Sequence, residues 1–226
     1  MRAELEEYLR PGWFVDSDAP AVTAFARDAA GDATDPVEQV ALLFAAVRDR
    51  IWYDPFGISD DPRDYRASAV AAARTSWCVP KAVLLVAGAR ALGVPARLGF
   101  ADVRNHLQTP RLREHMGGAD VFLYHGYADL HVGGRWVKAT PAFNSELCTR
   151  FGVPPIEFDG RSDALLHPFS ADGSRYMEYG RDRGVFADLP LDEILAALRA
   201  EYGPQMVGGE REARSATDAF TAPANP

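Results

Sequence analysis

Residues 80–92 constrain the fold of this 226-residue chain more than any other segment. Their only charged side chains are Lys81 and Arg90, so a helix over this segment is apolar nearly all round. A helix without a polar face is buried in the middle of a domain, where other elements cover it. A glycine and a proline follow and stop it. We therefore predict a central buried helix with the rest of the fold packed around it.

Helix signals precede this segment and strand signals follow it. Asp35, Pro36 and Glu38 combine an N-cap, a proline at the first helical position and a capping-box glutamate. The predicted helices cover residues 18–30, 36–51, 67–74, 80–92 and 191–202. The predicted strands cover residues 96–100, 121–132 and 135–140, and a Gly133-Gly134 turn joins the last two. The predicted elements are therefore helices followed by an antiparallel hairpin.

Length and composition fit one well-buried domain, because 47% of the residues are hydrophobic and 11% are aromatic. We expect this domain to cover residues 1–202, with a core at about 36–142 and a loop-rich part at 143–202. Residues 203–226 have few apolar side chains and are expected to form a flexible tail. Residues 101–120 form a long polar connection, which predicts a lid or binding loop.

Charge and cysteine content narrow the partners and the compartment. The formal net charge is −8 and the pI is about 5.1, which argues against a nucleic-acid or anionic-membrane partner. Cys78 and Cys148 are the two cysteines, and so few predict free thiols in a reducing compartment. The first seven residues are too acidic for a signal peptide, and no segment approaches the ~20 apolar residues of a membrane span. A cytoplasmic location is expected.

Cys78 lies at the start of the central helix and is the candidate nucleophile. The positive end of the helix dipole and unpaired backbone N–H groups both favour the thiolate there. His125 lies on a later predicted strand and can complete a nucleophile–base pair. By themselves, a single cysteine in an apolar segment and a single histidine are more often structural than catalytic.

The predicted hairpin fixes which side chains share a sheet face. With residues 133–134 as the turn, Asp129 faces Lys138, and the two most simply form a surface ion pair. His125 then lies on the same, more polar face as Thr140, as its diagonal neighbour. Diagonal neighbours are about 7–8 Å apart at the backbone, so their side chains touch only in some rotamers.

Together these segments resemble the transglutaminase-like superfamily. Residues 78–100 resemble its catalytic-cysteine segment, residues 125–129 its histidine segment and residues 134–137 its next strand. The resemblance covers roughly residues 40–142. It implies a papain-like α+β fold, with N-terminal helices and the nucleophile helix packed on an antiparallel sheet. It also implies a cysteine nucleophile, a histidine base and an acid that orients the base. The family contains amide-transfer enzymes, peptidases, deamidases and members without activity.

One position departs from the family pattern. The family has an aspartate just before a proline where this chain has Thr140 before Pro141. A hydroxyl can accept a hydrogen bond from the imidazole, but it cannot neutralise an imidazolium as a carboxylate does. Thr140 is therefore a candidate orienter or a purely structural residue. Asn144 is the alternative orienter, since papain-like sites work with a neutral asparagine.

The first functional hypothesis is a cysteine-dependent acyl-transfer enzyme that acts on an amide through a thioester intermediate. Hydrolysis, as in a protease or amidase, is favoured over amine transfer, and the partner is a peptide, protein or small amide. The Cys78 N–H and a second donor, from Trp77 or near Tyr53, are expected to hold the oxyanion. No cofactor or metal is expected, because the histidine spacings match no common ligand pattern. The candidate substrate-binding residues are Trp77, Tyr127, Asn105 and His106.

Two other interpretations of the protein's function remain open. The missing aspartate is also compatible with a catalytically inactive binding module on the same fold. Alternatively, the loop-rich C-terminal third carries an interaction surface, in which case Cys78 is dispensable for the biological role.

Overall fold

The computed structural model describes residues 2–106, 108–167, 173–174, 176–208 and 220. The α-helices are α1 (Arg2–Glu6), α2 (Pro20–Ala30), α3 (Pro36–Arg50), α4 (Ala67–Ala72), α5 (Cys78–Ala91), α6 (Pro110–His115), α7 (Ser145–Arg150) and α8 (Leu191–Tyr202). The strands are β1 (Trp52–Tyr53), β2 (Thr75–Ser76), β3 (Ala96–Asn105), β4 (Val121–Val132), β5 (Arg135–Ala139) and β6 (Met177–Phe186). Short 3-10 helices lie at Glu7–Leu9, Pro62–Tyr65 and Pro204–Met206.

The predicted central helix is confirmed as α5. Its residues 78–90 are all buried, between α2, α3 and α4 on one side and β3 and β4 on the other. Gly88 allows close packing against α3, because a β-carbon there would lie 2.9 Å from the Leu43 side chain. Helices on one side and an antiparallel sheet on the other make the architecture α+β, as predicted.

The sheet has the strand order β5-β4-β3-β6, with antiparallel neighbours. The β4–β5 hairpin has the predicted register, with Val132 opposite Arg135 and Asp129 opposite Lys138. Both turn residues, at 133–134, have positive φ angles of 60° and 80°. Two consecutive positive φ angles match the twist of the flanking strands, and glycine adopts them without a steric cost.

The prediction of a long polar connection over residues 101–120 was wrong. Strand β3 continues to Asn105, and α6 begins at Pro110, with the Thr109 hydroxyl accepting a hydrogen bond from the Leu112 N–H. The charged residues Asp102 and Arg104 at the end of β3 hid the strand. Strand β6 was missed for the same reason, because charges and glycines dominate it, as is common in edge strands.

The C-terminal region was only partly predicted. Helix α8 is confirmed, and it is followed by residues 203–208, where Met206 and Val207 join the hydrophobic core. Phe220 also belongs to that core. The rest of the predicted flexible tail, 209–219 and 221–226, lies outside the described residues. Among the helices of the described chain, none has the length and apolar character that crossing a membrane requires.

A buried polar network fixes the end of α3 against α5 and β1. The Lys81 ammonium nitrogen donates to the carbonyls of Arg48 and Ile51, at 2.9 and 2.6 Å. The Asn144 amide donates to the same two carbonyls, at 2.5 and 2.9 Å, and its oxygen accepts from the Tyr53 N–H at 2.7 Å. Helix ends leave carbonyls without intrahelical partners, and these two side chains satisfy them. Burial lowers the pKa of Lys81 to about 7.

We predict that Asn144→Ala lowers the free energy of unfolding by about 2–4 kcal/mol, because it leaves the buried Tyr53 N–H without its partner and the carbonyls of Arg48 and Ile51 with Lys81 alone. Gln39→Ala is the matched control, since the Gln39 amide makes one hydrogen bond, to the Ala33 carbonyl at 2.8 Å. Its loss should stay near 1 kcal/mol. Urea denaturation of both variants measures the difference, and equal losses would contradict the role given to Asn144.

Candidate active site

A short parallel pair of strands leads into the candidate nucleophile. Tyr53 in β1 lies opposite Ser76 in β2, and the Asp54 N–H donates to the Ser76 carbonyl at 2.8 Å. Trp77 follows in an extended conformation, and α5 begins at the next residue, Cys78. The sequence therefore correctly placed this cysteine at the first position of the buried helix.

The Cys78 sulfur lies among backbone donors in a desolvated place. The N–H groups of Gly126, Val79 and Cys78 itself act to lower its pKa. Burial acts in the opposite direction and is the larger effect, so the pKa rises to about 11. The side chain is 6% exposed. The expected preference for the thiolate was wrong, because the loss of hydration outweighs the N–H groups and the helix end.

His125 lies on β4 directly before Gly126, whose N–H reaches the cysteine sulfur. The side chain is 4% exposed, and burial lowers its pKa to about 4. Its Nε2 atom has no hydrogen-bond partner among the residues that the structure describes. At neutral pH the site therefore holds a neutral thiol and a neutral imidazole.

Thr140 and Tyr179 contribute two hydroxyl groups to this part of the structure. Thr140 is fully buried just after β5, and its Oγ1 atom has no hydrogen-bond partner within the described chain. The Tyr179 ring is edge-on to His125, with 6.3 Å between ring centroids. The Tyr179 hydroxyl accepts a hydrogen bond from the Leu166 N–H at 3.3 Å. The nearby Thr140 side chain acts to lower the pKa of Tyr179. Burial still raises the pKa of Tyr179 to about 12.

Tyr179 is the site residue that sequence reasoning missed. It reaches the site because β6 pairs with β3, which places Tyr179 opposite Val103. The available signal was the spacing of Met177 and Tyr179, two large apolar side chains on alternate positions of a charged segment. That signal covers too few residues to define a strand.

The structure gives Asn144 and Asp129 roles other than orienting His125. The Asn144 side chain donates to the carbonyls of Arg48 and Ile51 and accepts from the Tyr53 N–H. Its amide is therefore already occupied by backbone groups. Asp129 forms its ion pair with Arg97, at 2.8 Å, although Lys138 lies opposite it as predicted. Arg97 comes from the neighbouring strand β3, which the hairpin register alone does not reveal.

Of the candidate substrate-binding residues, Trp77 is adjacent to the nucleophile. It lines a cavity of about 580 Å³ together with Phe56, Ser76 and other residues of the preceding loop. Its ring lies edge-on to Tyr65, with 6.2 Å between centroids. Cys78 does not line this cavity, which therefore opens beside the nucleophile and not directly over it.

The other three candidates lie further along the sheet. The Tyr127 ring is 5.2 Å from the Lys138 ammonium nitrogen, on the face that carries Asp129. Asn105 ends β3 and His106 follows it, four and five positions beyond Ala101, the residue opposite His125. His106 contacts Glu178 at 3.2 Å. Within the described ranges, no group of three or more histidine, cysteine or acidic side chains is arranged to hold a metal ion.

Comparison with known proteins identifies the family. The model of the transglutaminase-like superfamily matches residues 23–141, which is more than half of the chain. The chain belongs to the transglutaminase-like superfamily. No curated protein matches it.

Two solved structures match this chain at low sequence identity. A candidate cysteine protease from Cytophaga hutchinsonii is 17% identical with a TM-score of 0.49, and the match covers 83% of this chain and 53% of that one. A candidate protease from Parabacteroides distasonis is 16% identical with a TM-score of 0.34, over 61% of this chain and 25% of that one. The present chain thus spans about half the length of the first protein and a quarter of the second.

We predict that His125 makes stability fall in mild acid. Its folded-state pKa of about 4 lies below the ordinary value of 6.5, so the unfolded chain binds the proton first as the pH falls. Stability is complete above pH 6.5 and drops by roughly 3 kcal/mol on the way to pH 4. His125→Gln should lose this part of the pH dependence in urea titrations, whereas His131→Gln should keep it. An unchanged acid limb in His125→Gln would contradict the assignment.

Proposed function

We propose that this protein is a cysteine-dependent acyl-transfer enzyme that acts on an amide, with Cys78 as nucleophile and His125 as general base. The observation that carries the proposal is the position of the cysteine sulfur. It lies at the start of a buried helix and beside the N–H of Gly126, the residue that follows the histidine. The proximity of the helix start to the residue after His125 supports the proposed pairing of these two side chains.

The pKa shifts define how this pair works. Because thiol and imidazole are both neutral at pH 7, His125 takes the Cys78 proton as the sulfur attacks the carbonyl carbon. The carbon–sulfur bond forms, and the carbonyl electrons move to oxygen, where the N–H groups of Cys78 and Val79 are the nearest helix-end donors. The imidazolium then protonates the leaving amine, and the carbon–nitrogen bond breaks to give a thioester. Water then attacks the thioester while His125 takes its proton, the carbon–sulfur bond breaks to release the carboxylic acid, and the proton returns from His125 to the Cys78 sulfur.

Thr140 and Tyr179 are proposed to orient the imidazole in place of the family's aspartate. Within the described residues, neither the buried Thr140 hydroxyl nor the buried Nε2 atom of His125 has a hydrogen-bond partner, so a bond between them would satisfy both. The edge-on Tyr179 ring restricts the rotation of the imidazole. A hydroxyl fixes the tautomer without adding a negative charge. A neutral orienter is therefore consistent with the low pKa of His125.

Hydrolysis is favoured over amine transfer, and one experiment distinguishes them. Blocked glutamine-containing peptides and peptide amides are incubated with the protein, with and without an alkylamine, and products are identified by mass spectrometry. We expect hydrolysed products in both conditions and their loss in Cys78→Ala and His125→Ala. Cys148→Ala, which removes the other thiol, should remain active. Amine adducts as the main products would favour transfer, and activity in Cys78→Ala would contradict the proposal.

A binding module is the second candidate, and the raised pKa of Cys78 favours it. A thiol with a pKa of about 11 is almost fully protonated at pH 7, and without a working base it is a weak nucleophile. This candidate predicts no turnover of any amide and no effect of Cys78→Ala on binding.

We predict that Thr140→Asp keeps or raises activity, because a carboxylate beside His125 raises the imidazole pKa and stabilises the imidazolium. Thr140→Val, which has nearly the same shape but no hydroxyl, should lower kcat/KM about tenfold, the effect of one lost hydrogen bond. The pH dependence of Cys78 alkylation by iodoacetamide is the accompanying readout. It should shift to lower pH in Thr140→Asp. Equal activity of the valine variant and the wild type would remove Thr140 from the mechanism.

A further inference from the structure

Phe220 occupies an aromatic pocket close to the candidate nucleophile. Its ring centroid lies 6.3 Å from that of Tyr53, 5.7 Å from that of Phe56 and 5.2 Å from that of Phe151. The residue is 5% exposed. Rings at these separations and tilts make favourable edge and face contacts. The pocket thus has the size and the walls for one phenylalanine side chain.

The pocket also holds the main chain of its occupant. The indole N–H of Trp52 donates to the Phe220 carbonyl at 2.8 Å, in a buried position. This donor is a side chain, so the bond belongs to no helix or sheet ladder. A site that fixes both an aromatic side chain and the carbonyl of the same residue has the features of a peptide-binding subsite.

The position of the pocket connects it to the nucleophile. Trp52 and Tyr53 form β1, and Tyr53 lies opposite Ser76, two residues before Cys78. Phe56 contacts Phe220 and also lines the cavity of about 580 Å³ beside Trp77. Pocket and cavity therefore share Phe56 as a wall, in the loop after β1, which pairs with the strand that leads into α5.

Phe220 is an isolated aromatic residue in its segment of the sequence, as an anchor residue of a peptide ligand is. Between Gly208 and Pro226 it is the only residue larger than alanine and proline that is apolar. Its neighbours are Ala219 and Thr221, both small. Phe220 is therefore the single apolar anchor that this part of the sequence offers to the pocket.

We propose that this aromatic pocket is a subsite for a phenylalanine residue of a polypeptide substrate, and that the chain's own Phe220 fills it as an intramolecular competitor. The proposal deepens the proposed function. Its statement that the bound peptide is a substrate rests on that function. Binding to the pocket itself requires no chemistry at Cys78.

Peptide binding in the absence of turnover tests the proposal. The probe is acetyl-Ala-Phe-Thr-amide, which copies residues 219–221, and acetyl-Ala-Ala-Thr-amide is its control. Calorimetry compares Cys78→Ala with the double variant Cys78→Ala/Phe220→Ala. We expect the phenylalanine peptide to bind the double variant at least about ten times more tightly, since the tethered competitor is gone. Equal affinities for the two proteins, or for the two peptides, would overturn the proposal.

Two further variants locate the binding site and guard against misfolding. Adding Trp52→Phe to the double variant should weaken the phenylalanine peptide about five- to tenfold, because it removes one hydrogen bond and keeps an aromatic ring. Trp13→Phe, at a half-exposed tryptophan outside the pocket, should change nothing. If Phe220→Ala does not fold, Phe220→Leu replaces it, with a smaller gain in affinity expected and no gain overturning the proposal.

The catalytic consequence separates this inference from the proposed function. In the protein with Cys78 intact, Phe220→Ala should raise kcat/KM for phenylalanine-containing peptides more than for alanine-containing ones. Specific peptide binding without turnover of any amide would leave the pocket in place and refute the acyl-transfer function. Turnover without specific binding or phenylalanine preference would refute the pocket alone.

Discussion

The contact between the first turn of α5 and strand β4 is the interaction on which the site depends. A β-carbon on Gly126 would lie 3.1 Å from the Cα atom of Val79, so a larger residue would require the strand or the helix to shift by a few tenths of an ångström. That approach brings the N–H of Gly126, the residue that directly follows His125, to the Cys78 sulfur.

Desolvation then determines the chemical state of the site. It raises the pKa of Cys78 and lowers those of His125 and Lys81, each time favouring the neutral form. A site of neutral groups needs no carboxylate to balance an imidazolium at rest. Thr140 in place of the family's aspartate is consistent with such a site. In the proposed reaction, the imidazolium forms only as the sulfur attacks, next to the developing negative charge that stabilises it.

The central helix, the hairpin and its register were predictable because each rests on a local signal. Apolar residues all round define α5, and two consecutive glycines define the turn that fixes Asp129 opposite Lys138. Residues that meet through long-range strand pairing were not predictable in this way. Tyr179 and Arg97 reach their partners through β6–β3 and β3–β4 pairing, which no local pattern specifies.

The errors about the site have a related origin. The helix-end argument for a Cys78 thiolate used a local effect, whereas the pKa is set by how completely the rest of the fold covers the sulfur. Asn144 was near enough in sequence to be an orienter, but its amide completes the end of α3, a helix about a hundred positions earlier. Phe220 lies in a segment without periodic signals, so its place beside Tyr53 is visible only in three dimensions.

The most direct test of the account is acylation of the protein by p-nitrophenyl acetate, followed by peptide mapping. The account predicts a burst of p-nitrophenolate equal to the protein present, with the acetyl group on Cys78 and not on Cys148. The burst rate should fall at least about 100-fold in His125→Ala, the usual contribution of a general base. Acetylation of Cys148 alone, or an unchanged rate without His125, would contradict the pairing of these two side chains.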